Sequence, residues 1–404
     1  MQNILRILIL CIGISVIACQ ERNIPEPKAV AVFTTPDSVK TLYREITSDT
    51  IIKNIYSGST TDYRIMNMWR ISNGATLTIE AGVNLQVVQN GGIFVSDGAA
   101  LKILGTATNP VNITGQSKTK GFWNGIIFEN TSNPSNELNH VVIEYAGGNT
   151  TSNMFYSAAL ALVNAHVQLN NASIRNNKIY GVSFDSTSVL NLESCTITAN
   201  DSNPVLATHV NFMLHATNCN LLGNGNDKIL VRSIANVTGN LNQQITYTDL
   251  PYLITGTARY ASALTLAPNT RLIMGKLSSF YFNNDAGNAA IIGSGTFTQP
   301  IRIEGEKPDS GYWQGIVMHA GGQVQLNYCR IVGAGTAADF GYQGSGAALM
   351  VSGGQPGNLL VENCTIENAF FNGIIIDTAA VNYNSNIETI NTFINIKNLP
   401  VVYY

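Results

Sequence analysis

The chain has 404 residues, with 22 Lys and Arg against 25 Asp and Glu and a formal net charge of −3 at pH 7. That balance excludes the basic field a nucleic-acid binder needs, so no nucleic acid is expected as a partner. With 45% hydrophobic and only 12% charged residues the chain can bury a long core, yet beyond its first residues no apolar run reaches membrane-spanning length.

In chain order, Met1 to Ala18 carries Arg6 and then an apolar run from Ile7 to Ile17, broken only by Gly13 and Ser15. This is the layout of a secretory signal, too short for a spanning helix. It ends in Val16-Ile17-Ala18-Cys19, which resembles the lipobox of bacterial lipoproteins. The resemblance implies cleavage before Cys19, lipidation of its thiol, and several acyl chains in the membrane where a single chain would hold only marginally. Residues 19–48 then read as the lipidated cysteine and a flexible tether, because Pro25, Pro27 and Pro36 oppose helix. Outer-membrane anchoring follows as an expectation. Glu21, flanked by Arg22, leaves the cell surface and the periplasmic face both open.

From Asp49 onward the chain reads as short strands: TLTIEAG, LQVVQN, ALKILG, VNITG, GIIFEN, HVVIEYAG, ALALV, VQLNNASI, GVSFDS and VLNLESCTIT. Each is rich in Val, Ile, Leu, Phe and Thr and is closed by Gly, Asn, Asp or Pro. No stretch after the leader sustains a helical period with caps. Such phrases, returning at roughly twenty-residue intervals, describe a solenoid of stacked coils.

The solenoid is written twice. GFWNGIIF at Gly121 to Phe128 returns as GYWQGIVM at Gly311 to Met318, and GTATNPVNITGQ at Gly105 returns as GTFTQPIRIEGE at Gly295. In the longer pair six of twelve positions agree, against roughly one expected from average residue usage. Leu77 to Val83 answers to Leu264 to Thr270, Leu138 to Leu326, and Asn170 to Glu362. Residues 49–240 and 241–404 are therefore expected to form two β-helix halves stacked on one continuous core. The glycines around Trp123 and Trp313 would let an indole lie against a tight corner, a structural role. Asn171 and Asn363, and Asn176 and Asn368, fall at matching turn positions where Asn tolerates left-handed backbone.

The ordered series Tyr-x-Ile, Leu-Thr-Ile-Glu-x-Gly, Gly-Thr-x-x-x-Pro-Val-x-Ile-Thr-Gly, Gly-x-Trp-x-Gly-Ile and Ile-Glu-Tyr-Ala-Gly resembles the right-handed parallel β-helix lipoproteins of Bacteroidetes envelopes, with a pectate-lyase-like fold. The resemblance implies an all-β, right-handed, single-stranded parallel β-helix, internally duplicated. It implies no particular chemistry. A lyase of this kind would carry an Asp/Glu cluster for calcium with a Lys or Arg base, and a hydrolase would carry paired aspartates.

Neither pattern is written here. Asp185 and Asp377 end equivalent strands and read as turn residues. His140, Glu144 and Tyr145 are the nearest thing to a constellation, with His140 and Glu144 on one side of a strand, but Gly333 stands where a second Glu144 would be. His209, His215 and His319 stand alone. Asn226-Asp227 and Asn284-Asp285 are turn formers first, so no metal and no cofactor are expected. With Cys11 in the leader and Cys19 lipidated, Cys195, Cys219, Cys329 and Cys364 remain, and the three in the strand-like phrases ESCTIT, NYCRIV and ENCTIE read as buried small hydrophobes. An oxidising compartment would permit disulfides between stacked coils, although the spacings set no framework.

Two long excursions leave the coil at equivalent points, GGNTTSNMFYS from Gly147 and GAGTAADFGYQGSG from Gly333. On a solenoid with little twist they should emerge on the same side. Each holds an aromatic pair, Phe155 with Tyr156 and Phe340 with Tyr342, and these four residues are the candidate binding site. Their rings either face a sugar or an apolar protein patch, or fold back over the sheet beneath. The functional expectation is a non-catalytic, lipid-anchored envelope protein presenting a rigid face to a glycan or another envelope protein. A polysaccharide lyase or hydrolase, and an accessory subunit of an outer-membrane complex, are the alternatives.

Overall fold

Alternation decides which side chains go inside. In Thr76–Glu80, Leu77 and Ile79 are buried while Thr76, Thr78 and Glu80 face outward, as the two-residue period of a strand requires. The next coil repeats the pattern directly above, so Leu77 stacks on Leu101 and Ile79 on Ile103 in parallel register. Likewise Ile113 lies between Leu85 and Ile143. The inward ladders of Leu, Ile and Val merge into one apolar core that runs from Leu42 to Val401. The computed structural model describes residues 31–32, 39–42, 45–148, 157–233, 238–335 and 346–404. It is a right-handed parallel β-helix, with one short helix, Ile387–Ile390, among the described residues.

Five parallel sheets make up the walls. Sheet I has seven strands, from Lys40–Leu42 to Thr196–Thr198. Sheet II runs from Met68–Ile71 to Thr392–Ile394, through both halves. Sheet III runs from Ala31–Val32 to Met213–Thr217. Sheet IV has seven strands, from Thr238–Gly239 to Val401–Tyr403, and sheet V six, from Gln243–Ile245 to Val381–Tyr383. A coil of the first half passes through I, II and III in turn. A coil of the second passes through II, IV and V.

Sequence-equivalent strands therefore lie in different sheets. Val111–Gly115 belongs to sheet I, whereas its counterpart Ile301–Gly305 belongs to sheet II; Ile126–Thr131 belongs to sheet II, and Gly315–His319 to sheet IV. The halves are joined with an offset of one face.

This overturns the same-side expectation for the excursions. Gly147 follows the sheet I strand Val141–Glu144 and leads into sheet II, while Gly333 follows the sheet II strand Cys329–Val332 and leads into sheet IV. Because all sheet II strands point the same way, one excursion departs at the edge where they start and the other at the edge where they end.

Corners are set by left-handed residues. Asn171 and Asn363 have φ of 53° and 52°, and Asn176 and Asn368 both have 56°, matching the turn roles read from sequence. ALALV and VQLN join in one strand, Ala158–Asn170, whose first part pairs in sheet II and whose second part pairs in sheet III. Asn164, at φ 49°, bends it, and its side-chain amide donates to Asn130 Oδ1 at 3.0 Å.

Both Trp corners are built alike. Trp123 and Trp313 are wholly buried, and each indole N–H donates at 2.8 Å to a backbone carbonyl, of Glu144 and Val332 respectively. Gly125 and Gly315 hold φ of 108° and 122°, and a Cβ there would meet the Ala158 oxygen at 2.7 Å and the Ala347 oxygen at 2.5 Å.

Inside the first half runs an asparagine ladder. Asn177 Nδ2 donates to Asn200 Oδ1, and Asn200 Nδ2 to Asn224 Oδ1, both at 2.9 Å. The same oxygens accept the backbone N–H of Asn177 and Asn200, and the amides also reach the carbonyls of Ile143, Ile174 and Ile197. Stacked amides satisfy backbone groups that the corner would otherwise bury unpaired.

Candidate functional site

The one-face offset leaves a seam. Sheets I and III end at Thr196–Thr198 and Met213–Thr217 and sheets IV and V begin at Thr238–Gly239 and Gln243–Ile245, so sheet II alone crosses, from Val205–Ala207 through Ile229–Arg232 to Tyr252–Thr255. Met213–Thr217, the last strand of sheet III, faces Gln243–Ile245, the first of sheet V. No backbone hydrogen bond joins these two strands among the described residues.

Side chains tie the strands at one end only. Asn211 Nδ2 donates to the Leu241 carbonyl at 2.7 Å, the Leu241 N–H donates to Asn211 Oδ1 at 3.2 Å, and the Phe212 N–H donates to Gln243 Oε1 at 2.9 Å. Beyond these ties the edges part around a groove of about 360 Å³. Its floor is sealed by aromatic packing: Phe212 stacks on Tyr252 at 5.9 Å and meets Phe184 edge-on at 6.3 Å. The Tyr252 hydroxyl donates to the Tyr247 carbonyl at 2.9 Å, and burial pushes its ionisation far above the ordinary tyrosine value.

The groove walls combine apolar and neutral polar groups. Met213 and Leu241 are 37% and 58% exposed, and His215, Asn242 and Gln244 stand beside them. No Asp, Glu, Lys or Arg is among the described lining residues. Such a wall can offer amide, imidazole and backbone hydrogen bonds with two apolar contacts, a composition suited to a neutral polar ligand. It lacks the paired carboxylates of glycoside hydrolysis and the acidic cluster of a calcium site. At its rim the Asn211 N–H donates to His209 Nδ1 at 3.0 Å, and burial holds that imidazole below its ordinary pKa.

Elsewhere several acids are engaged in structure. Buried Asp62 accepts the N–H groups of Ile55, Tyr56 and Asn84 at 2.7 to 2.8 Å. Asp185 accepts from Asn164, Thr187 and Ser188, and Asp377 from Gly353 and Ala379, in keeping with their reading as turn residues. Glu144 is held by Arg175 Nε at 2.7 Å. His140 is not its partner on the strand: it occupies the left-handed corner before Val141–Glu144, at φ 46°, which breaks the alternation that placed the two together. Among the described residues no three His, Cys, Asp or Glu side chains converge as a metal would require.

Of the residues singled out from sequence, Cys19, Phe155, Tyr156, Phe340 and Tyr342 lie outside the described residues. Sequence reading missed the groove residues, since nothing in NFMLHAT or NLNQQIT marks a missing neighbour. It also missed a duplicated outward pair: the Arg70 guanidinium lies 4.6 Å from the Phe94 ring centre, and Arg259 lies 4.9 Å from that of Tyr281. The recurrence of both residues at nearly the repeat spacing was the available signal.

Residues 49–153 match the model of a pectate-lyase like beta helix domain. No curated protein and no solved structure matches the chain.

Proposed function

We propose that this chain is a non-catalytic binding protein, lipid-anchored to the outer membrane through Cys19, whose β-helix presents a rigid surface to a glycan or to another envelope protein. The observation that carries the reading is the groove between Met213–Thr217 and Gln243–Ile245: it is lined by amides, an imidazole and apolar groups, without a carboxylate or a cation among its described residues. Asp62, Asp185 and Asp377 outside it cap turns and Glu144 sits in an ion pair, which accounts for their presence without chemistry. An accessory role in an outer-membrane complex is the same reading with a protein as the ligand.

Binding to immobilised neutral and uronate-rich glycans and to envelope extracts tests the proposal, with His215→Ala and Gln244→Ala variants expected to weaken the interaction while leaving the thermal midpoint unchanged. Reducing ends or unsaturated products formed from any of those glycans, with or without calcium, would sink it.

A further inference from the structure

The four cysteines within the described residues are not scattered. Each stands directly after a left-handed corner residue: Ser194 (φ 53°) before Cys195, Asn218 (54°) before Cys219, Tyr328 (47°) before Cys329 and Asn363 (52°) before Cys364. Cys195 stands at the first strand of its coil in sheet I, and Cys329 and Cys364 at the first strands of theirs in sheet II; Cys219 precedes Asn220, which bridges to Thr196 at the end of sheet I. The other coils fill this corner with residues such as Val141 and Ala172. Where a cysteine is used, the coil above or below uses one too. Thr196 pairs with Asn220, and Arg330 with Thr365, so Cys195 stacks in register on Cys219 and Cys329 on Cys364.

The contact is close in both couples. The Cys195 N–H donates to Cys219 Sγ at 3.4 Å, and the Cys329 N–H donates to Cys364 Sγ at 3.3 Å. Neighbouring parallel strands lie about 4.8 Å apart, within the Cα separation a disulfide spans. The couples differ in access: Cys195, Cys329 and Cys364 are buried, while Cys219 is partly exposed at the end of sheet I, where no further strand covers it.

We propose that Cys195 and Cys219 are a redox-active pair that closes to an inter-coil disulfide by exchange with a small disulfide oxidant, with Cys219 as the entry thiol. Hydrogen bonding from the Cys195 thiol and backbone N–H holds the Cys219 thiol below its ordinary pKa and raises that of Cys195. The Cys219 thiolate attacks one sulfur of the oxidant, forming a mixed disulfide and expelling one thiolate. Cys195 then loses its proton to solvent and attacks the Cys219 sulfur, expelling the second thiolate. Two protein thiols are oxidised by two electrons, and one disulfide is reduced to two thiols. Cys329 and Cys364 make the same inter-coil contact but have no exposed sulfur, and serve as the internal control.

The full chain, reduced and then freed of reductant, is incubated folded with glutathione disulfide, alkylated, and cut by chymotrypsin, which separates the two cysteines after Phe212. The expected product is a peptide pair joined through Cys195 and Cys219, with Cys329 and Cys364 recovered as thiols alkylated only after denaturation. In Cys195→Ser, Cys219 should instead accumulate a stable glutathione adduct. Recovery of Cys195 and Cys219 as alkylated thiols, equally fast oxidation of Cys329 and Cys364, links between two copies, or absence of the adduct in the variant would each overturn the assignment.

Discussion

Replacing Asn200 with Ala removes the middle rung of the buried amide ladder. Asn200 is 1% exposed and Asn177 is fully buried. The substitution takes the acceptor from the Asn177 backbone N–H and side-chain amide, and the donor from the Ile174 carbonyl and Asn224 Oδ1. Asn224 is half-buried and can turn to water, and Asn177 Nδ2 keeps the Ile143 carbonyl at 3.3 Å. The groups left dry cost about 1 to 3 kcal/mol each, so a total loss of about 3 to 5 kcal/mol is expected. Asn170→Ala is the comparison, since its amide makes the same kind of rung, to Asn139 Oδ1 at 2.7 Å, but on the outer face; water replaces it, and about 0.5 kcal/mol is expected. Guanidinium titration followed by far-ultraviolet circular dichroism measures both, with the slope required to stay constant so that the midpoints compare stabilities. A shift for Asn200→Ala no larger than that for Asn170→Ala would refute the claim that the ladder stabilises the corner.

Trp123→Ala and Trp313→Ala should each lower stability by about 3 to 5 kcal/mol; an unchanged denaturation midpoint in either would contradict the burial described. Their effects should nearly sum in the double variant, because the two indoles share no partner. His209 is held below its ordinary pKa by burial, so its neutral form stabilises the fold above about pH 6.5 and that contribution is lost as pH falls through the folded value; stability measured from pH 8 to 5 should fall less in His209→Gln, and parallel curves would exclude the effect. Cys19→Ser should move the protein from the membrane to the soluble fraction of cells, and retention in the membrane would remove the lipid anchor from the proposal.

The duplication was legible because indole and glycine are hard to replace at a tight corner, so GxWxGI persisted where ordinary strand residues drifted. Strand positions followed from alternation, as in Leu77 and Ile79. The one-face offset was not legible: repeat spacing records the order of strands but not which sheet each one joins. His140 and Glu144 were misplaced because a single left-handed residue changes the parity of everything before it. The buried ladder was hidden by composition, since Asn176 makes the turn while its neighbour Asn177 turns inward, and the letters are the same. The groove escaped notice because it is made by what does not pair, and a strand without a neighbour is spelled like any other.

The seam also sets how the molecule would carry load. Within either half, three hydrogen-bonded walls share any tension along the long axis. At the seam sheet II carries it with a few side-chain ties, among them Asn211 to Leu241, Gln243 to Phe212 and the Tyr260 hydroxyl to the Val210 carbonyl at 3.2 Å. A rod notched on one flank bends toward or away from the notch before it bends elsewhere, and pulled between its ends it parts there first. The groove would then open or narrow with the bend, so that anything seated between Met213 and Gln244 would feel the strain of the rod, and would stiffen it in return.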